Sequence, residues 1–185
     1  MNIKLMIKLI VGTEALLFMT LLFAYIYFAF NPGYSPGALH LLSVRSGAAA
    51  TLLLLSSSFT LHRAEMDFRK ERPRRLRLWL AATILLGALF LLIQGTEYSH
   101  LLRSGITLSS NLLGTSFFTL TGIHGLHVLT GLIGLAILFG LAFPGDFNYT
   151  GSVPLEAAGI YWHFIDIVWL FIFSMVYLLP HCLKT

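Results

Sequence analysis

The sequence predicts an all-α integral membrane protein: one bundle of five transmembrane helices, N-terminus inside and C-terminus outside. Three observations predict it. Of the 185 residues, 57% are hydrophobic and only 11% are charged, a membrane composition rather than that of a soluble core. The apolar runs are far too long for barrel strands and show no period-two alternation, and in lipid only helices or closed barrels satisfy the backbone. The basic residues are concentrated, seven of the twelve falling between His62 and Arg77. At roughly 20 residues per span the chain holds about five crossings with short loops and no soluble domain. The single cysteine, Cys182, excludes an internal disulfide and any multi-cysteine metal site. The net charge of +4 points to basic loops on a cytoplasm-like side and not to nucleic acid.

The first span runs from about Leu9 to Phe30, preceded by Lys4 and Lys8 and ended by the turn residues Asn31 to Gly37. It reads as a span and not as a cleavable leader, because it is too long, lacks a small-residue cleavage site and contains Glu14. The second, from about Leu39 to Leu61, is rich in Gly, Ala and Ser, which let helices approach closely in lipid; Arg45 near its start can snorkel to the interface. The strongly basic loop, residues 62–77, follows. By the positive-inside rule it is cytoplasmic or on the equivalent side, and that orients the rest. Lys184 dissents weakly.

The third span runs from about Leu78 to Glu97 and the fourth from about Gly114 to Phe143. A turn to Pro154 leads into the fifth, from about Glu156 to Leu179. There is no internal repeat, and the domain count is one.

Ionisable groups inside a span cost free energy and usually point into a bundle. Glu14 lies about 9 Å deeper than Lys8 along the helix axis. It reads as a proton site, as a contact to a lipid headgroup or buried partner, or as a structural hydrogen bond to a neighbouring helix. His124 and His127 are three residues apart on one face, as are His163 and Asp166. The histidines admit metal or haem ligation, with His163 as the facing ligand, or interhelical hydrogen bonding beside Gly122, Gly125 and Gly131. Glu97 closes the third span and Glu156 opens the fifth, too far apart on this topology to pair; each reads as a helix-end cap or anchor, Glu156 favoured by the macrodipole. Tyr161, Trp162 and Tyr177 fit an aromatic belt, whereas Trp169 is mid-span and reads as packing. No nucleotide loop, nucleophile elbow or cysteine cluster appears. The residues by themselves reach a five-helix bundle with a few buried polar groups, and no reaction.

Four stretches add a resemblance. TGIHGLHVLTG (Thr121 to Gly131) resembles the TGFHGLHV-type signature of the cytochrome oxidase subunit III family. YWHFIDIVWLF (Tyr161 to Phe171) resembles its YWHFVDVVWLF signature. QGTEY (Gln94 to Tyr98) and TEALLFMTLLFAY (Thr13 to Tyr25) are similar to two further elements, and all four occur in family order across essentially the whole chain. The chain is similar to a short, five-helix form that lacks the first two of seven helices, the two that in the longer members form a lipid-holding cleft with the rest.

The resemblance implies a non-redox accessory subunit of a proton-pumping haem–copper terminal oxidase in a bacterial cytoplasmic or equivalent inner membrane. It implies direct contact with the catalytic subunit I, and company with subunit II and other small oxidase subunits. Haem and copper belong to those partners; this chain binds neither, and phospholipid is its expected non-protein neighbour. Glu14, Glu97, His124, His127, Glu156, His163 and Asp166 are then bundle-forming, lipid-contacting or subunit-contacting groups. The electron donor can be cytochrome c or quinol. The alternatives are a subunit III-like companion of nitric oxide reductase and, in a different class, a haem-bearing membrane anchor. A transporter with Glu14 and Asp166 on an ion path would commonly show repeats or broken helices, and none is visible.

Overall fold

A computed structural model describes residues 3–29, 43–107, 112–143 and 153–178. These form five long helices and no strands: α1 (Ile3–Ala29), α2 (Val44–Arg69), α3 (Pro73–Arg103), α4 (Leu112–Leu141) and α5 (Val153–Phe173), the last continued by a π-turn at Ser174–Leu178. All five are long and apolar enough to cross a membrane. The turns expected at 31–37 and 144–152, along with His40, His181, Cys182 and Lys184, lie outside the described residues.

The helices outrun the apolar stretches that announced them. The segment expected as a basic loop, 62–77, is mostly helical: α2 continues to Arg69 and α3 begins at Pro73. Burial explains the continuation. Ala64 and Asp67 on α2, and Leu76 on α3, still face the partner helix. The 26 residues of α2 span about 39 Å against a hydrocarbon core of about 30 Å, so the charged turns project beyond it. Pro73 takes the first helical position, where its missing N–H is no loss. Between the helices the backbone closes with Arg72 N–H donating to the Asp67 carbonyl at 3.0 Å and Glu71 at φ 52°. Ser43 caps α2, its hydroxyl accepting from the Ser46 N–H.

Neighbouring helices alternate in direction. The Arg69 guanidinium lies 3.9 Å from Glu156, at the start of α5. Arg77 of α3 sits over the ring of Phe143, just past α4. The hairpin end of α2 and α3 therefore holds the start of α5 and the end of α4. Helices α2, α3, α4 and α5 close a four-membered ring, and α1 lies outside it against α4 and α5. Among its described side chains, α1 turns only Phe18 and Tyr25 fully inward. The outer faces carry exposed apolar residues such as Leu16, Leu52, Leu85, Leu126 and Phe171.

The packing centre is α5. Trp162 and Trp169, seven residues apart on one face, are 0% and 2% exposed. The Trp162 ring fills a slot between two glycines: a methyl on Gly87 of α3 or on Gly131 of α4 would stand 2.9 Å from it. Its indole N–H donates to Ser57 Oγ of α2 at 3.0 Å, and that of Trp169 donates to Thr51 Oγ1 at 3.0 Å. One turn nearer the end of α5, Gly47 of α2 admits Tyr177 and Phe173. In lipid, helices associate through close packing and hydrogen bonds and not by leaving water, so this clearance decides the contact. Trp162 and Tyr177 are therefore inward anchors and not members of an aromatic belt. An indole or phenol turns inward when its N–H or O–H finds a partner there.

Candidate functional site

Glu14, Glu97 and His163 are used in contacts that tie helix to helix. Glu14 of α1 meets His127 of α4, with Oε2 and Nε2 3.0 Å apart. The other ring nitrogen, Nδ1, lies 2.8 Å from the Ile123 carbonyl. That carbonyl can only accept, so Nδ1 carries a hydrogen. The Glu14–His127 contact then holds one proton: either the carboxyl O–H donates to bare Nε2, or the Nε2–H of an imidazolium donates to a carboxylate. The Tyr161 hydroxyl of α5 donates to the His127 carbonyl at 3.3 Å, and the Phe18 ring stands edge-on to His127 with centroids 5.0 Å apart. Three helices therefore meet at His127.

His163 and Asp166 sit on the α2 side of α5. His163 Nδ1 is 2.5 Å from Ser58 Oγ. Asp166 is buried beside the same serine, and neither of its oxygens has a hydrogen-bond partner among the described residues. His124 is fully buried and likewise makes no hydrogen bond among them. Its ring is packed by Phe18, Phe90 and Trp169, the last at a centroid distance of 5.1 Å. The spacing that put His124 and His127 on one face does not make them act together: one packs into the core and the other reaches α1. His163 is bonded towards α2, away from both. Among the described residues no three of His, Cys, Asp or Glu converge.

Glu97 and Glu156 mark opposite ends of the bundle. Glu97 accepts from Ser46 of α2 at 3.0 Å and from the Tyr177 hydroxyl at 2.5 Å. Expected to anchor its own helix end, it instead clamps the start of α2 to the end of α5. Glu156 opens α5 within 3.9 Å of Arg69. Its neighbour Glu65 rests against Gly159, where only a glycine leaves room.

Further partners were not singled out from the sequence. Gln94 donates to the Thr121 carbonyl at 2.7 Å, and Tyr98 and Thr121 share a hydroxyl bond of 2.6 Å. Thr60 and Thr83 join α2 to α3 at 2.8 Å. Trp79 donates to Asp67 at 3.0 Å. Ser57 and Ser58, read as small packing residues, are acceptors or partners for α5. The available signal was positional: Thr51 and Ser57, the acceptors of Trp169 and Trp162, lie six apart on α2, close to the seven that separate the tryptophans on α5.

The family model described as Cytochrome c oxidase subunit III matches residues 1–180. Cytochrome c oxidase subunit 3 of Synechocystis sp. is 36% identical over 175 residues, covering 94% of this chain and 74% of the relative. Its counterpart in Bacillus subtilis is 36% identical over 172 residues, covering 92% and 83%. A probable quinol oxidase subunit 3 of Staphylococcus saprophyticus is 36% identical over 130 residues, covering 70% and 64%.

Proposed function

The chain belongs to the cytochrome c oxidase subunit III family, and from that premise we propose that it is a non-redox accessory subunit of a haem–copper terminal oxidase. Family membership makes it a membrane protein of an oxidase complex in aerobic respiration. Beyond that, our reading is that it packs directly on the catalytic subunit I, stabilises it and supports proton uptake on the inner side, with subunit II and smaller subunits nearby. The membrane is a bacterial cytoplasmic membrane or an equivalent inner one. The basic hairpin faces inside, so the N-terminus is inside and the C-terminus outside.

One observation carries the accessory reading. Four of the ionisable groups within the spans are spent on holding helices together: Glu14 on His127, His163 on Ser58, and Glu97 on Ser46 and Tyr177, while His124 is packed among aromatic rings. A haem between helices needs histidines that face each other across a gap. Here His127 reaches α1 and His163 reaches α2. In this reading the haem and copper sit in partner subunits, and phospholipid is the chain's non-protein neighbour. Electrons arrive elsewhere in the complex, from cytochrome c or quinol.

The test is to extract the tagged chain in mild detergent, identify what accompanies it by mass spectrometry, and record an absorption spectrum. A large haem-containing oxidase subunit should co-purify, and the chain released from it should be colourless. A nitric oxide reductase partner would move the same accessory role to that enzyme. A chain that comes alone and carries haem would overturn the reading and make ligands of the histidines.

A further inference from the structure

The half of the bundle remote from the basic hairpin holds two oxidisable rings beside a base. Trp169 of α5 and Tyr177 of its π-turn stand with ring centroids 6.3 Å apart, and both are buried. Phe90 meets the indole edge-on at 4.7 Å, and Phe173 stacks on the phenol at 5.6 Å. The two rings differ in what their polar hydrogens meet. The Trp169 N–H donates to the Thr51 hydroxyl at 3.0 Å, and that hydroxyl donates onward to the Gly47 carbonyl at 2.8 Å. The Tyr177 O–H donates to the Glu97 carboxylate at 2.5 Å, the length of a charge-assisted bond. The phenol is carried by the π-turn at Ser174–Leu178, a departure from regular helix that is frequent at functional sites.

Those partners decide where a missing electron comes to rest. An indole that loses an electron keeps its proton when its neighbour is a neutral hydroxyl, and it stays a strong oxidant. A phenol that loses an electron becomes a strong acid, so a carboxylate in contact takes its proton at the same moment and makes the oxidation easier. Passing the deficit from Trp169 to Tyr177 also replaces an indole cation and a carboxylate by neutral groups. Where water is scarce and unpaired charge is costly, that favours the move. The other polar aromatics lack this combination. Tyr98 shares a bond with the Thr121 hydroxyl and Tyr161 donates to the His127 carbonyl, neither of which is a base. Trp79 donates to the Asp67 carboxylate, but at the hairpin end, and among the described residues it forms no ring pair with another indole or phenol.

We propose that Trp169, Tyr177 and Glu97 form a radical trap: a strong one-electron oxidant takes an electron from Trp169, Tyr177 refills the indole, and the phenol proton passes to Glu97. The indole radical cation gains one electron and becomes neutral indole. The phenol O–H bond breaks, leaving a phenoxyl radical and a carboxylic acid. The oxidant is of the hydroxyl-radical or high-valent metal class that arises where oxygen is reduced, and the chain belongs to an oxidase family. A thiolate or enediolate supplying one electron restores the phenol, which takes its proton back from Glu97. The trap carries none of the electrons of turnover. It needs no haem in this chain and no particular partner subunit, so co-purification of a haem subunit neither supports nor removes it.

The test uses the full chain in mild-detergent micelles, with a ruthenium tris-diimine attached at Leu52→Cys and the single native cysteine removed by Cys182→Ser. Leu52 is exposed and adjoins Thr51, the acceptor of Trp169. A flash in the presence of an external quencher oxidises the ruthenium, and transient absorption with EPR tells indole radicals from phenoxyl radicals. An indole radical should appear first and give way to a phenoxyl. Tyr177→Phe should abolish the phenoxyl and prolong the indole radical, and Trp169→Phe should slow phenoxyl formation. Glu97→Gln should slow it by about a hundredfold, because the amide oxygen still accepts the phenol hydrogen bond but cannot hold its proton. Tyr98→Phe should change nothing. A phenoxyl that survives Tyr177→Phe places the radical elsewhere and overturns the proposal. Formation at an unaltered rate in Glu97→Gln overturns it as well, because the pair is then a structural bond only. So does an unaltered rate in Trp169→Phe, which removes the indole from the path.

Discussion

Adding one methyl at Gly131 tests whether the bundle is set by clearance around Trp162. In Gly131→Ala the new Cβ stands 2.9 Å from Cε3 and Cζ3 of the indole, whereas carbon atoms rest at about 3.5–4.0 Å. The ring has nowhere to go. Its far edge lies against Gly87, and its N–H is held by Ser57 at 3.0 Å. Overpacking of this kind costs about 1–3 kcal/mol, set against a gain of up to about 1 kcal/mol for replacing glycine by alanine within a helix. The net expectation is a loss of about 1–2 kcal/mol. Gly134 supplies the control on the same helix, because nothing lies within 4 Å of its added Cβ. Gly134→Ala should be neutral or slightly stabilising. The assay is reversible unfolding of the purified protein by SDS titration from mild-detergent micelles, followed by tryptophan fluorescence. Equal stability of the two alanine variants would refute the reasoning. A further check is the coupling: in a Trp162→Leu background the Gly131→Ala penalty should shrink by about 1 kcal/mol or more, because the two residues touch.

Glu14→Gln should keep α1 docked, because an amide N–H can donate to a bare Nε2 of His127, whereas Glu14→Leu should loosen α1 by about 1 kcal/mol; protease sensitivity of α1 in micelles reads the difference, and undocking by Gln would show that the native pair is ionic. His163→Leu removes the bond to Ser58 and should weaken retention of the subunit in its complex by about 1 kcal/mol; unchanged retention through detergent washing would count against a packing role. Tyr177→Phe removes the shorter of the two bonds to Glu97 found among the described residues and should lower stability to SDS modestly, by about 0.5–1.5 kcal/mol; no change there would show that the clamp at that end of the bundle is idle.

The number of helices was legible because composition and run length in a membrane leave few choices. Their ends were not, since hydropathy stops at the lipid boundary while Ala64, Asp67 and Leu76 go on burying a face beyond it. The site residues were legible as a set but not as partners. Residues three apart on a helix share a face only loosely, being about 60° apart around the axis. In a bundle where α4 borders α1, α3 and α5, that angle is enough to change neighbours. His124 and His127 diverge for this reason. Glu14 and His127 are 113 residues apart, and only the packing of α1 on α4 joins them. The inward turn of Trp162 depended on Ser57, Gly87 and Gly131, three residues on three other helices. Local pattern carries no trace of such a meeting. The family motifs mark the positions without saying what each one touches.

The π-turn at Ser174–Leu178 makes one part of α5 tolerant of length change. Trp162 and Trp169 are separated by seven residues, about two turns of α-helix. Tyr177 follows Trp169 by eight, which in plain α-helix overshoots two turns by about 80° and would aim the phenol away from Glu97. The wider i→i+5 turn takes up the surplus residue. Deleting Ser174 should therefore let the segment relax into unbroken α-helix and still deliver the phenol to its carboxylate. The same deletion between the two tryptophans has no slack to draw on, and would rotate one indole out of its slot while the other stayed. Insertions and deletions in this helix are thus predicted to be accommodated at its last turn and rejected before it.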